Sequence, residues 1–106
     1  MYYKHGQKVD EFTLNRIADN YVVSYHASTR INQRNKNLNI KELIRNPFLA
    51  YYNTDGSINI AKDRYNYLVV VQRETDFLVV TYKGHSYDNN HDIFYKQQLA
   101  LKGIER

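Results

Sequence analysis

The sequence predicts a single α+β domain of two layers, in which N-terminal helices pack on a three- to four-stranded antiparallel meander and a C-terminal helix follows. Three observations support this fold class. The chain of 106 residues suits one domain, 1–106. Its first half shows helical spacing of apolar residues as far as Pro47, after which the spacing becomes that of strands. Helices segregated to one side of an antiparallel sheet form two layers.

The first predicted helix covers residues 10–20, with Asp10 as its N-cap. Its apolar side is expected to consist of Phe12, Leu14 and Ile17. The β-branched segment Tyr21–Val23 comes next, and it suits either a strand or an extended connector.

A second helix is predicted from Tyr25 to Asn35, with Ala27 and Ile31 on its apolar face. Spacings of four residues place three polar side chains on a neighbouring stripe. They are His26, Arg30 and Arg34.

A third, short helix is predicted to begin after Asn39, because Asn39 and Glu42 have the spacing of a capping box. Its apolar side would be formed by Ile40, Leu43 and Ile44. It should end at Asn46-Pro47, since the residue before a proline is disfavoured in helical space.

The strands are predicted at 48–53, 58–61, 65–72 and 77–83, with a hairpin turn at Asp55-Gly56. The last two are apolar on both faces, which is typical of central strands in a covered sheet. We expect a common buried core of Ile31, Ile44, Leu68, Val70, Phe77 and Val79. A final helix is predicted over residues 91–102, with Asn90 as its cap and Gly103 at its C-terminal end.

Composition narrows the function classes. The chain has no cysteine, which excludes disulfides, thiolate zinc sites and cysteine nucleophiles. No apolar run approaches the length of a membrane span and no secretory signal is recognisable, so we expect a cytoplasmic protein without a membrane partner. The net charge of +4 permits an acidic partner such as nucleic acid or an acidic protein.

Several of these features together resemble a family of small uncharacterised phage or mobile-element domains. They are the His26-Ala27 pair, Arg30, Arg34, the short helix ending at Pro47 and the closing strand Val79-Val80-Thr81-Tyr82. Such domains are similar in layout to the BrnT and RelE/ParE toxins. The resemblance covers roughly residues 25–101, and it implies either an RNA-cleaving toxin or an inert relative that inhibits a host enzyme. A phage origin, and with it the cytoplasm of a bacterial host, is implied only by this analogy.

Two groups of residues are candidate sites. The stripe His26, Arg30 and Arg34 suits phosphate contacts or an ordinary solvated helix face. The second group lies at the end of the last strand and in the loop after it: Tyr82, Lys83, His85, Tyr87 and His91. It suits either catalysis or an ordinary polar loop. A metal-independent ribonuclease needs a base, an acid and a cation, and His26, Lys83, His85 and His91 are the candidate catalytic set. Arg30, Arg34, Tyr82 and Tyr87 are candidate binding residues; no metal site or cofactor is predicted.

The abundant tyrosines allow two interpretations. On an exposed sheet face they could stack bases or anchor a protein interface, whereas ordinary cross-strand packing is the commoner role. The residues concerned are Tyr51, Tyr52, Tyr65, Tyr67 and Tyr82. The favoured function is a binding protein that inhibits a host protein or nucleic acid through a basic, tyrosine-rich surface. A metal-independent endoribonuclease and a plain nucleic-acid-binding module remain the alternatives.

Overall fold

A computed structural model describes residues 5–84 and 88–103 of the chain, and it shows an α+β fold. Its elements, in chain order, are α1 (Glu11–Asp19), β1 (Tyr21–Val23), α2 (Tyr25–Arg34), α3 (Ile40–Arg45), β2 (Leu49–Tyr52), β3 (Ile58–Ala61), β4 (Tyr67–Gln72), β5 (Phe77–Lys83) and α4 (Asn89–Leu101). The α+β class is therefore confirmed, whereas the order of the helices and the make-up of the sheet agree with the prediction only in part, because a strand lies between α1 and α2.

The sheet has five strands in the order β1-β5-β4-β3-β2, and it is mixed rather than antiparallel. Strands β2 to β5 form the predicted antiparallel meander. The fifth strand is the segment Tyr21–Val23, which pairs in parallel with Phe77–Val79. The prediction of three to four antiparallel strands was wrong for this segment, because a three-residue β-branched sequence is equally compatible with a strand and with an extended connector. Only its distant partner β5 makes it a strand.

The antiparallel pairing of β4 with β5 contains one bulge. Val69 lies opposite Thr81 and Val70 lies opposite Val79, so Val80 has no partner of its own on β4. An extra residue of this kind bends the strand and increases its twist. The carbonyl oxygen of Val80 instead accepts a hydrogen bond from the Ser24 hydroxyl, 2.8 Å away, which ties the start of α2 to the bulge.

Helices cover both faces of the sheet, so the two-layer arrangement is only part of the fold. α2 packs on β5, α3 reaches β3 and α1 packs on α3. The main core lies beneath these helices and contains every residue of the predicted core: Ile31, Ile44, Leu68, Val70, Phe77 and Val79. α4 packs on the opposite face, where Phe94 and Tyr95 meet a smaller cluster from β2, β3 and β4.

The helix caps match the predictions at α1 and α3 and differ at α4. The Asp10 and Asn39 side chains accept hydrogen bonds from Thr13 N and Glu42 N, as the spacing predicts. α4 is capped by Asp88, not by Asn90, because the Asp88 carboxylate accepts from the backbone of the second and third residues after it. Gly103 has a φ of 72°, the left-handed conformation expected after a helix.

The apolar side of α1 was predicted correctly for Leu14 and Ile17, which are buried, but not for Phe12, which is largely exposed. Phe12 and Ile17 are five residues apart, which at 100° per residue places their side chains about 140° apart around the helix. They therefore cannot both face the core.

Candidate binding surface and the buried His91 network

The stripe predicted on the second helix exists and lies on α2. Ala27 and Ile31 are buried against the sheet, whereas His26 and Arg34 are exposed and Arg30 is half-buried. The helix begins at Ser24, whose hydroxyl oxygen accepts from Ala27 N at 3.0 Å. Because the same hydroxyl is bonded to β5, the stripe is held in a fixed orientation relative to the sheet.

Arg34 is attached to the end of β5. Its Nη1 donates a hydrogen bond to the carbonyl oxygen of Gly84 at 2.8 Å. A Cβ atom added to Gly84 would lie 2.8 Å from the Tyr82 ring and 3.3 Å from the Arg34 Cδ, so only glycine fits between them. This contact was not predicted, since no local pattern relates residues 50 apart in the chain.

Tyr82 is a core residue rather than a surface one. It is 1% exposed, and its hydroxyl donates to the Asn66 side-chain oxygen at 3.0 Å. Tyr51 and Tyr67 are also buried, and Tyr52 is half-buried. For these tyrosines the structure shows the packing role; Tyr65 is 41% exposed.

The positive charge around α2 is not neutralised within the described residues. The segment from Asn20 to Ile40 contains no acidic residue. Elsewhere, Arg45 is paired with Asp19 at 2.9 Å and Arg73 with Asp76 at 2.6 Å. The residues His26, Arg30, Arg34 and Lys36 form no ion pair within the described chain, and we call them the basic face.

The second candidate group is only partly described. Lys83 is exposed and is the last residue of β5. It lies opposite Tyr67 in the β4–β5 register, so it points to the side of the sheet that carries α4. His85 and Tyr87 lie outside the described residues.

His91 is 1% exposed and belongs to a buried hydrogen-bond network. Its Nδ1 is 2.8 Å from the Tyr51 hydroxyl, and its Nε2 is 3.2 Å from the carbonyl oxygen of Asp63. The Tyr67 ring stacks on the imidazole with 4.4 Å between ring centroids. The Tyr51 hydroxyl also accepts a hydrogen bond from Asn59 Nδ2 at 2.9 Å.

These partners define the protonation state of His91. A carbonyl oxygen can only accept, so Nε2 must carry a proton to bond with Asp63. The Tyr51 hydroxyl accepts from Asn59 and therefore has its own proton to donate to Nδ1. The network is complete when His91 is neutral.

Burial also favours the neutral form of His91. It lowers the pKa of His91, and the hydrogen bond from the ring to the Asp63 carbonyl and the nearby carboxylates offset part of that effect. Burial also raises the pKa of Tyr51 above its usual range, and it raises the pKa of Tyr67 to about 12. Both hydroxyls are therefore protonated at neutral pH.

A charged pair adjoins this network at the start of α4. Asp92 is 4% exposed, and its carboxylate accepts from Arg64 Nε at 2.5 Å and Arg64 Nη2 at 3.1 Å. Lys96 lies 3.4 Å away on the next turn of the helix. The hydrogen bonds from Arg64 hold the pKa of Asp92 below its usual range. The pair thus connects α4 with the turn between β3 and β4.

The structure does not bring the described members of the predicted catalytic set together. His26 lies on α2, which packs on one face of the sheet, and His91 lies beneath α4 on the other face. Lys83 is exposed on the face of His91, but His91 uses both ring nitrogens in internal hydrogen bonds. The catalytic role of the set stays a prediction, because His85 is outside the described residues.

The Tyr51–Asn59–His91 network was missed in the sequence, although one signal for it exists. Asn59 stands between Ile58 and Ile60 in a strand whose residues are all buried. A buried amide must find partners, so it predicts a polar contact on the face that Asn59 shares with Tyr51. Nothing in the local sequence identifies His91 as the third member.

Within residues 5–84 and 88–103, no group of three or more His, Asp or Glu side chains is placed to bind a metal ion. None of the helices found there is long and apolar enough to cross a membrane. No family model, no curated protein and no solved structure matches this chain. The relationship to the BrnT and RelE/ParE toxins therefore stays a prediction.

Proposed function

We propose that this protein is a binding domain whose basic face docks on the acidic surface of another protein, and that it acts by covering that surface. The observation that carries the proposal is the unneutralised charge of the basic face, on a helix held rigidly to the sheet by Ser24 and Arg34. Complementary charge of this kind speeds association and selects partners.

A protein partner is favoured over single-stranded nucleic acid by the positions of the tyrosines. Stacking of bases needs exposed aromatic rings beside the cations. Tyr51, Tyr67 and Tyr82 are buried, and Tyr25 is the one exposed tyrosine in the helix that carries the basic face. Within the described chain the cations thus have one exposed ring beside them, whereas a stacking site holds successive bases on several rings.

Inhibition of a host protein would follow from the same contact, if the covered surface is one that the host protein needs. The argument rests on charge and rigidity alone, and it requires no chemistry from His26 or Lys83.

The test compares two charge reversals of equal size. Arg30→Glu changes the basic face, and Lys102→Glu changes an exposed cation at the end of α4, on the other face of the sheet. Each tagged variant is used to capture partners from a nuclease-treated lysate of the cell that carries the gene. The affinity of the captured protein is then measured with purified components.

We expect a partner that survives nuclease treatment, that is released at high salt, and that binds Arg30→Glu at least about tenfold more weakly, because like charges placed against each other cost several kcal/mol. Lys102→Glu should bind as the parent does. The proposal is wrong if nuclease removes the partner, if homopolymeric RNA binds with the same dependence on Arg30, or if both reversals weaken binding equally.

A further inference from the structure

The two edges of the sheet are treated differently by the chain. At the β2 edge, residues 6–9 run alongside and make backbone hydrogen bonds, among them Tyr52 N to Gln7 O at 2.9 Å and Val9 N to Ala50 O at 3.1 Å. At the other edge, β1 has β5 as its neighbour and no second strand within the described residues.

The backbone of β1 presents two residues to that open edge. Ser24 N donates to Val79 O at 3.0 Å, and Asn20 O accepts from Phe77 N at 3.1 Å. Bonding directions alternate along a strand, so the even-numbered residues face β5. The N–H and C=O groups of Tyr21 and Val23 therefore point away from the sheet.

This edge has only some of the features that prevent strand addition. Exposed edges are commonly protected by a short strand, charged side chains, proline or a bulge. β1 is short, at three residues, but the segment Tyr21-Val22-Val23 has neither a charge nor a proline. Val22 is 46% exposed. It lies beside half-buried Leu78, which in turn lies beside half-buried Val71, so an apolar row leads to the edge.

We propose that β1 pairs with β1 of a second copy of this chain, in antiparallel orientation about a two-fold axis through Val22. We choose a second copy as the partner because the outward N–H and C=O groups are spaced so that the edge is complementary to itself. Tyr21 of one copy lies opposite Val23 of the other, and each such pair exchanges two hydrogen bonds. Two pairs give four hydrogen bonds, and no outward group of β1 is left over.

The pairing also joins the apolar rows. Val22 meets Val22 of the second copy in a non-hydrogen-bonded pair, in which side chains are closest. The row Val71–Leu78–Val22 then continues into the same row of the other molecule, on the face opposite α2. The result is a ten-stranded sheet with α1, α2 and α3 of both copies on one side, so both basic faces point the same way.

Charge sets the conditions under which the dimer is seen. Each copy carries a net charge of +4, and the three residues at the seam carry none. Repulsion between the two copies is screened by salt while the seam itself is not affected. Association should therefore strengthen with ionic strength, in contrast to binding through the basic face.

A single introduced thiol tests the register directly, because the natural chain has no cysteine. In a non-hydrogen-bonded antiparallel pair the Cα atoms are about 4.5 Å apart, which lies within the range that a disulfide spans. Val22→Cys should therefore form a covalent dimer under mild oxidation at low protein concentration. Leu101→Cys, which replaces an exposed leucine on α4, is the control and should not form the covalent dimer.

Sedimentation measures the non-covalent dimer over roughly 1 µM to 1 mM protein. The parent chain should show a reversible monomer–dimer equilibrium. Val22→Lys should raise its dissociation constant by at least about tenfold, because two like charges would lie directly opposite each other, whereas Leu101→Lys should leave it unchanged. Circular dichroism confirms that both variants fold.

Three results overturn the proposal. They are a parent chain that stays monomeric throughout the concentration range, a dimer that is unaffected by Val22→Lys, and equal cross-linking of the two cysteine variants. None of them bears on the basic face, since binding through Arg30 is measured separately.

Discussion

The buried network can be tested by removing one atom, the hydroxyl oxygen of Tyr51. Tyr51→Phe removes an oxygen that accepts from Asn59 and donates to His91, and it leaves the ring in place. Both partners are buried and would lose their contact with the oxygen. A buried polar group left without a partner costs about 1–3 kcal/mol, so the free energy of unfolding should fall by about 2–6 kcal/mol.

A matched control is available at Tyr67. Its ring stacks on the same imidazole, and its hydroxyl makes no hydrogen bond with any described residue. Tyr67→Phe is the same chemical change in the same cluster, without the loss of a hydrogen bond to any described residue. We expect it to alter the free energy of unfolding by no more than about 0.5 kcal/mol.

The assay is urea denaturation at pH 7.5, followed by far-UV circular dichroism. The midpoint should shift while the slope stays the same, which shows that native stability has changed rather than the compactness of either state. If Tyr51→Phe costs no more than Tyr67→Phe, the hydroxyl does not hold the network together, and the assignment of a neutral His91 fails with it.

Two further predictions concern pH and the main core. Burial lowers the pKa of His91 in the folded chain below 6.5, so the unfolded chain binds the proton more tightly. The contribution of neutral His91 to the free energy of unfolding is therefore fully present above pH 6.5, and it is lost as the pH falls through the folded-state pKa. Denaturation midpoints across that window should show the loss, and His91→Gln should flatten it; an unchanged slope would contradict the prediction. Leu68→Ala should lower the free energy of unfolding by about 2–5 kcal/mol, because Leu68 is fully buried. Leu101→Ala is the control and should change it little, because Leu101 is largely exposed. Similar losses for the two variants in the same urea assay would show that the central-strand assignment is wrong.

The elements that the sequence predicted well are those defined by local chemistry. The Asp10 and Asn39 caps, the hairpin turn and the continuous apolar run in β4 each depend on residues within a few positions of one another. The burial of Leu68 and Val70 agrees with the central position that this run predicts. Local patterns of this kind are reliable because the physical partners are neighbours in the chain.

The parts that could not be predicted all depend on distant partners. β1 is a strand because of β5, more than 50 positions later in the chain. The anchoring of Arg34 to Gly84 likewise joins residues 50 apart. The two arginines of the stripe were therefore identified as candidates, while the reason that α2 is held in one orientation became visible only in the structure.

The position of α4 shows most clearly why apolar pattern was not enough. One face of the sheet carries apolar side chains from Tyr51 on β2 to Val22 on β1, with Asn59, Thr81 and Lys83 among them, yet α4 covers the half that contains Tyr51 and leaves Val22 half-exposed. An apolar row does not by itself say where along it a helix will dock. Two polar contacts define where α4 docks: His91 bonds to Tyr51, and Gln98 Nε2 donates to the Phe48 carbonyl oxygen at 2.9 Å. The same network that makes His91 unsuitable as an exposed base therefore determines which half of the sheet stays open.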